Sequence, residues 1–187
     1  MIGFVNMKNF DEELLTYLNN LNPSVKGILM NPSEAVFEEN VKMNCFYCGK
    51  YNNNWRCPPH LPKLSYEKLF SEYDKGLFVI FESKLCKSED FSLVRRDSSV
   101  IVHKVLLELE RWMWNRNRVT AISFGAGSCK LCKNGCGSLG CNNPQMSRSP
   151  LEATGCNVIK TVRKYGIEIS FPPRGKLIRI GLLLWQY

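Results

Sequence analysis

The chain of 187 residues has little histidine: only His60 and His103. Histidine is the side chain acid–base enzymes use most often. No Ser-His-Asp set, no acid pair and no His-rich metal motif stands out either. Long apolar runs are also missing. Spanning a bilayer takes roughly 18–20 such residues, and the most apolar stretch, Gly181-Leu182-Leu183-Leu184-Trp185, has the length of a strand. Residues 1–8 lack the basic segment followed by an apolar one that marks a secretory leader. A cytoplasmic protein with no membrane partner is therefore expected. There is no internal repeat at solenoid periods. Acids run short in one half. Residues 103–187 carry 13 Lys and Arg against 4 Asp and Glu, a balance of +9, while residues 1–102 carry 12 against 13, a balance of −1.

Cysteine is what the chain has in quantity: nine, at positions 45, 48, 57, 86, 129, 132, 136, 141 and 156. A reducing compartment makes clustered thiols ligands more often than disulfides. The odd count would also leave a disulfide framework with an orphan. Four thiols, Cys129, Cys132, Cys136 and Cys141, fall within thirteen residues in the spacing C-x2-C-x3-C-x4-C. Gly135, Gly137 and Gly140 break any regular element there and let the backbone fold round a point. A second group, Cys45-x2-Cys48 followed by Cys57-Pro58-Pro59-His60, supplies three thiols, one short of a full shell. Its fourth place is open to His60, Cys86, Cys156 or an exchangeable ligand.

The chain reads as a single domain over 1–187, with an N-terminal helical appendage over 1–25. The first cysteine group occupies 45–60 and the second cysteine loop 125–145. The fold class expected is α/β, or α+β, with a mixed sheet of about four to five strands and helices packed on it. Asn9 and the acids after it open a helix over 9–20. Val25 to Met30 is a strand, Asn31-Pro32-Ser33-Glu34 a helical turn, and residues 39–44 run extended into Cys45. Ser65 caps a short helix reaching Asp74. The continuous apolar run Leu77 to Phe81 is a buried strand. Ser98 or Ser99 caps the clearest helix, with a stripe of Val102, Val105, Leu106, Leu109, Trp112 and Met113. His103 lies beside that stripe, where a lone histidine is usually a satisfied side chain. Val119 to Phe124 is a second core strand, parallel to the first if the helix is a right-handed crossover. It ends in Gly125-Ala126-Gly127-Ser128-Cys129, so the cysteine loop hangs from the carboxyl end of a strand, where α/β folds place ligands. Those glycines fit neither the dinucleotide nor the phosphate-loop spacing. A helix over 151–165 follows, and strands over 167–171 and 177–185 suggest a closing hairpin.

From about residue 26 onward, these groups resemble the predicted metal-binding family numbered 2284 among the domains of unknown function. The matching pieces are Cys45-x2-Cys48 with Tyr51, and Asn54-Trp55-Arg56-Cys57-Pro58-Pro59. To these are added Gly125-Ala126-Gly127-Ser128-Cys129-x2-Cys132, Cys136, Cys141 with Pro144, Leu151-Glu152-Ala153-Thr154-Gly155, and the ending Gly181-Leu182-Leu183. The resemblance implies a cysteine-rich metal site of iron–sulfur type and no settled reaction. The order Ser149-Pro150 and the longer step from Cys132 to Cys136 depart from the family's pattern.

Zinc takes four cysteines, commonly as C-x2-C pairs far apart in sequence. Here four sulfurs arrive consecutively from one loop, closer to ferredoxin-type ligation. The expectation is a 4Fe–4S cluster on Cys129, Cys132, Cys136 and Cys141, with a second at Cys45, Cys48 and Cys57, and zinc as the alternative. Electron transfer to a redox partner protein is the simplest function. A three-cysteine cluster would leave one iron open to substrate or sulfide. The rival is a zinc-stabilised module binding protein, or nucleic acid through the basic C-terminal half, although aromatics are not interleaved with the cations as a stacking platform requires. Lys130, Lys133, Arg148, Lys160, Arg163 and Lys164 lie near the loop in sequence and are read first as compensating the charge of about −2 on a four-thiolate 4Fe–4S unit.

Overall fold

The computed structural model describes residues 7–85 and 90–187. The described residues form five helices, α1 (Met7–Leu21), α2 (Glu39–Phe46), α3 (Tyr66–Ser71), α4 (Phe91–Trp114) and α5 (Val158–Arg163), and four strands, β1 (Val25–Met30), β2 (Lys75–Lys84), β3 (Ile122–Phe124) and β4 (Lys176–Trp185). The sheet order is β1-β2-β4-β3. Each adjacent pair runs antiparallel, with Val79 opposite Gly181 and Ser123 opposite Leu183. Helices and strands alternate as an α/β fold, but every strand ladder is antiparallel in place of the expected mixed sheet; β2 and β3 point the same way, joined by α4, with β4 between them.

The apolar runs read as buried because the sheet is covered on both faces. Successive side chains alternate across the pleat. Leu77, Val79, Leu183 and Trp185 meet Leu14 and Leu18 of α1 and Val102, Leu106 and Leu109 of α4. Phe78, Ile80, Leu182 and Leu184 meet Phe70 of α3 and Val162 of α5. The expected α4 stripe is buried at all six positions. The cap expected at Ser65 holds, its side chain accepting from Lys68 N, and Asn31 caps its turn by accepting from Ser33 N; Asn9 opens no helix, because it lies inside α1, where its amide donates to Glu13.

Four further local expectations are corrected. Residues 39–46 form α2, a helix that buries none of its own side chains and so carries no periodic signal. Helix α4 begins at Phe91, capped by Asp90, whose carboxylate accepts from Ser92 N. Ser98 and Ser99 lie inside it, and their hydroxyls donate back to Val94 O (2.7 Å) and Arg95 O (2.9 Å), which satisfies a serine within a helix. The helix expected over 151–165 is broken. A 3-10 turn (Leu151–Thr154) ends on Gly155 at φ +90°, and α5 restarts with Asn157 as cap. A left-handed residue ends a helix, and glycine takes it without strain. Residues 167–171 form no strand, so β4 has no hairpin partner in that stretch. Its ladders go to β2 and β3 instead.

Candidate metal centre

Strand β3 delivers the chain into Gly125, whose N–H donates to Ser149 O (2.8 Å) and whose carbonyl accepts from Leu151 N (2.9 Å). The loop between, carrying Cys129 to Cys141, therefore leaves and returns at one point at the carboxyl end of a core strand. Helix α4 clamps the returning segment. Buried His103 Nε2 pairs with Met146 O at 2.7 Å. Glu110, 2% exposed, pairs with Arg148, whose Nε donates to it at 2.8 Å. Arg148 also donates to Gln145 O (2.8 Å) and Ser147 O (3.0 Å). His103 is thus a satisfied side chain and no ligand. Gly137 is required where it stands, because a side chain there would begin 2.5 Å from Asn142 Oδ1 and 2.7 Å from Gly140 O.

The two cysteine groups, far apart in sequence, are brought together. Three consecutive residues of the first group dock on the second loop. Asn54 Nδ2 donates to Cys129 O (3.0 Å), Trp55 Nε1 to Gly137 O (2.7 Å), and Arg56 to Ser147 Oγ (2.5 Å) and Pro144 O (2.7 Å). Cys129, Cys132, Cys136 and Cys141 all line one cavity of about 440 Å³, walled on its other side by this docking segment and by the start of α4. Asn143 Nδ2 donates to Cys132 Sγ (3.1 Å). The Cys141 thiol contacts Ser147 Oγ at 3.3 Å, and the hydroxyl can donate in return once the sulfur is a thiolate. Partial burial pushes the Cys141 thiol up, but Ser147, the Asn143 N–H and Arg56 outweigh it and hold it below the usual cysteine range. Cys129 is raised, chiefly by burial and further by the sulfurs of Cys141, Cys136 and Cys132.

In the first group, Cys45 lies in the last turn of α2 and the turn closes with Cys48 N donating to Cys45 O (3.1 Å). Cys57 is buried and its thiol is pushed up to about 12, by burial first, then by Glu152, Cys45 and Cys48. Cys45 is raised by burial, Glu152 and Cys48. Three thiols thus share one neighbourhood with a carboxylate that the sequence did not single out as a site residue. Glu152 keeps some accessible area along its chain, yet its carboxylate is enclosed. Desolvation raises its pKa against the pull of its own N–H, Arg179, the Gly127 N–H and Lys130. Lys130 Nζ, Glu152 Oε1 and Arg179 Nη1 come within 3.7, 3.8 and 3.9 Å of where a side chain on Gly127 would begin. The sequence signals for Glu152 are its place in the family-like stretch Leu151-Glu152-Ala153-Thr154-Gly155 and its isolation, as one of 4 acids against 13 cations in residues 103–187. Of the alternatives for a fourth ligand, His60 packs its ring on Trp55 with centroids 4.3 Å apart. Cys156 is buried in the core against Thr161. Cys86 lies outside the described residues.

None of the eight described cysteines is in a disulfide. Among the described residues, no three His, Cys, Asp or Glu side chains are drawn to a single point fit for one metal ion. A tetrahedral zinc with bonds of about 2.3 Å would hold its sulfurs about 3.8 Å apart.

Only part of the set of cations that sequence proximity suggested stands at the loop. Arg148, Lys160 and Arg163 pair with Glu110, Glu38 and Glu168, and Lys164 Nζ donates to Glu34 O. Only Lys130 and Lys133 of that set reach the cavity, joined there by Lys50, Arg56, Arg95 and Arg96.

A family model described as predicted metal-binding protein (DUF2284) matches residues 29–185. No curated protein and no solved structure matches the chain. No described helix is long and apolar enough to cross a membrane.

Proposed function

The chain belongs to this family of predicted metal-binding proteins, and on that premise we propose that it is an iron–sulfur protein of redox function. Cys129, Cys132, Cys136 and Cys141 would hold a 4Fe–4S cluster. The observation that carries this reading is the shared cavity: four sulfurs from one loop stand on the wall of one space of about 440 Å³. That arrangement suits a polynuclear cluster, which spaces its thiolates more widely than one ion does. The chain also presents donors to those sulfurs, the Asn143 amide on Cys132 and the Ser147 hydroxyl beside Cys141. Such groups orient ligands and stabilise the negative charge of a reduced cluster. The lining cations favour the same charge.

A bound cluster supplies one-electron transfer. The chain's own residues fix the loop: His103, Glu110 and Arg148 hold its exit, while Asn54, Trp55 and Arg56 close it from the other side. Cys45, Cys48 and Cys57 form the second, incomplete group, the candidate for an open cluster that takes substrate or sulfide. Glu152 lies close enough for its carboxylate to raise the Cys45 and Cys57 thiols. Cytoplasmic location and a redox partner protein belong to this reading.

Metal and acid-labile sulfide analysis of anaerobically purified protein tests it. Iron and sulfide in equal amounts support the proposal. Zinc without sulfide would overturn it in favour of a zinc-stabilised binding module.

A further inference from the structure

Among the described residues, the cavity beside the cysteine loop is walled by Lys50, Arg56, Arg95, Arg96, Lys130 and Lys133, and by no Asp or Glu. None of the six makes an ion pair among the described residues. Two are engaged by the fold. Arg56 is spent on Ser147 and Pro144, and Lys130 Nζ donates to Ser128 O at 2.9 Å. The side chains of Lys50, Arg95, Arg96 and Lys133 donate no hydrogen bond among the described residues. They come from three separate parts of the chain: the first cysteine group, the first turns of α4 and the cysteine loop. Like charges collected in a concavity repel one another, and nothing in the packing of the core requires them there. A four-thiolate 4Fe–4S cluster, at about −2, would offset part of this charge and leave the α4 side in excess.

We propose that this cavity binds a small molecule bearing a doubly charged oxyanion, a phosphate ester or a dicarboxylate, gripped by Lys50, Arg95 and Arg96 against the sulfurs of the cysteine loop. The inference rests on the iron–sulfur reading only for the charge the loop itself carries. Arginine forks match carboxylate and phosphate oxygens in pairs. The cavity of about 440 Å³ would be shared, with the proposed cluster against the cysteine loop and the anion on the side of Lys50, Arg95 and Arg96. A nucleic-acid strand would instead need a groove with bare aromatic faces. The one aromatic ring on this wall, Trp55, is already packed on His60 and bonded to Gly137. The site sets its anion directly beside the proposed cluster, where a substrate to be reduced or activated would have to lie.

Calorimetric titration of the anaerobically purified full chain with inorganic phosphate, and separately with succinate, tests the inference. Lys50→Gln and Arg96→Gln alter exposed side chains and leave the core intact. Lys26→Gln, exposed on β1 and absent from the cavity wall, is the control. The expected result is saturable binding of one probe with a dissociation constant below about 1 mM. That constant should rise at least about tenfold in each cavity variant, a change of about 1.4 kcal/mol, and stay unchanged in the control. Preference for phosphate assigns a phosphate ester; preference for succinate assigns a dicarboxylate. Iron-containing protein that binds neither probe overturns this inference and leaves the cluster reading standing. Iron-free protein that binds a probe with the expected variant pattern supports the cavity and overturns the cluster reading. An oligonucleotide whose binding alone depends on Lys50 and Arg96 also overturns the inference.

Discussion

Replacing Glu110 by Gln removes one charge from a pair that joins α4 to the exit of the cysteine loop. Glu110 is 2% exposed and the Arg148 side chain 17%. Taking away one partner of a buried pair costs about 3–5 kcal/mol, because the other charge stays enclosed without compensation. Arg148 is not stranded entirely: it keeps Gln145 O and Ser147 O as acceptors. The cost should therefore fall at the low end, about 3 kcal/mol. With a urea dependence of about 2 kcal/mol per M, the unfolding midpoint drops by roughly 1.5 M. The double variant Glu110→Met, Arg148→Met replaces both charges with apolar volume and should recover most of that loss. Urea unfolding of the wild type, Glu110→Met, Arg148→Met and the double variant supplies the full cycle. A Glu110→Gln protein within about 1 kcal/mol of wild type, with a double variant that is simply additive, would refute the clamp.

Other consequences can be checked separately. Asn143→Leu removes the N–H donor on Cys132 Sγ; in cluster-loaded protein it should lower the reduction potential by on the order of 60 mV, the one-electron equivalent of about 1.4 kcal/mol, as read by redox titration. In metal-free reduced protein at pH 8, Cys141, with its lowered pKa, should alkylate before Cys57, raised to about 12, and Cys156, raised to about 11, which timed mass spectrometry resolves; Cys57 reacting first would contradict the site electrostatics. Burial holds His103 below its ordinary value of 6.5 despite the Met146 carbonyl. The unfolded chain therefore takes up this proton first as pH falls below about 6.5. Stability should decline from there toward the lower folded pKa, and His103→Gln should reduce that decline in pH-dependent unfolding.

What the sequence revealed and what it hid follow from the range of the interactions. Ser65 caps within three residues, and the α4 stripe repeats within one helix, so both were legible. The start of α4 was not, because Ser98 and Ser99 suit a cap and a satisfied helix interior alike. Helix α2 has no buried face to betray it. The final strand looked like half of a hairpin because its partners, β2 and β3, lie far upstream. The same holds at the site. The density of thiols in residues 129–141 pointed to the loop, and Phe124 leading into Gly125 placed it at a strand end. The docking of Asn54, Trp55 and Arg56 on that loop is a contact across more than 70 residues, with no local pattern to announce it. The same distance hid the source of the cavity's charge. Four of its six cations lie before residue 100, in the half of the chain whose net charge is slightly negative.

The central claim is that residues 129–141 hold a 4Fe–4S cluster. Electron paramagnetic resonance of anaerobically purified, chemically reduced protein tests it most directly, comparing wild type with Cys132→Ala and Cys48→Ala. The account predicts a reduced-cluster signal that Cys132→Ala abolishes and Cys48→Ala leaves in place. A signal that survives Cys132→Ala and disappears in Cys48→Ala, or no iron signal at all in the wild type, would contradict it.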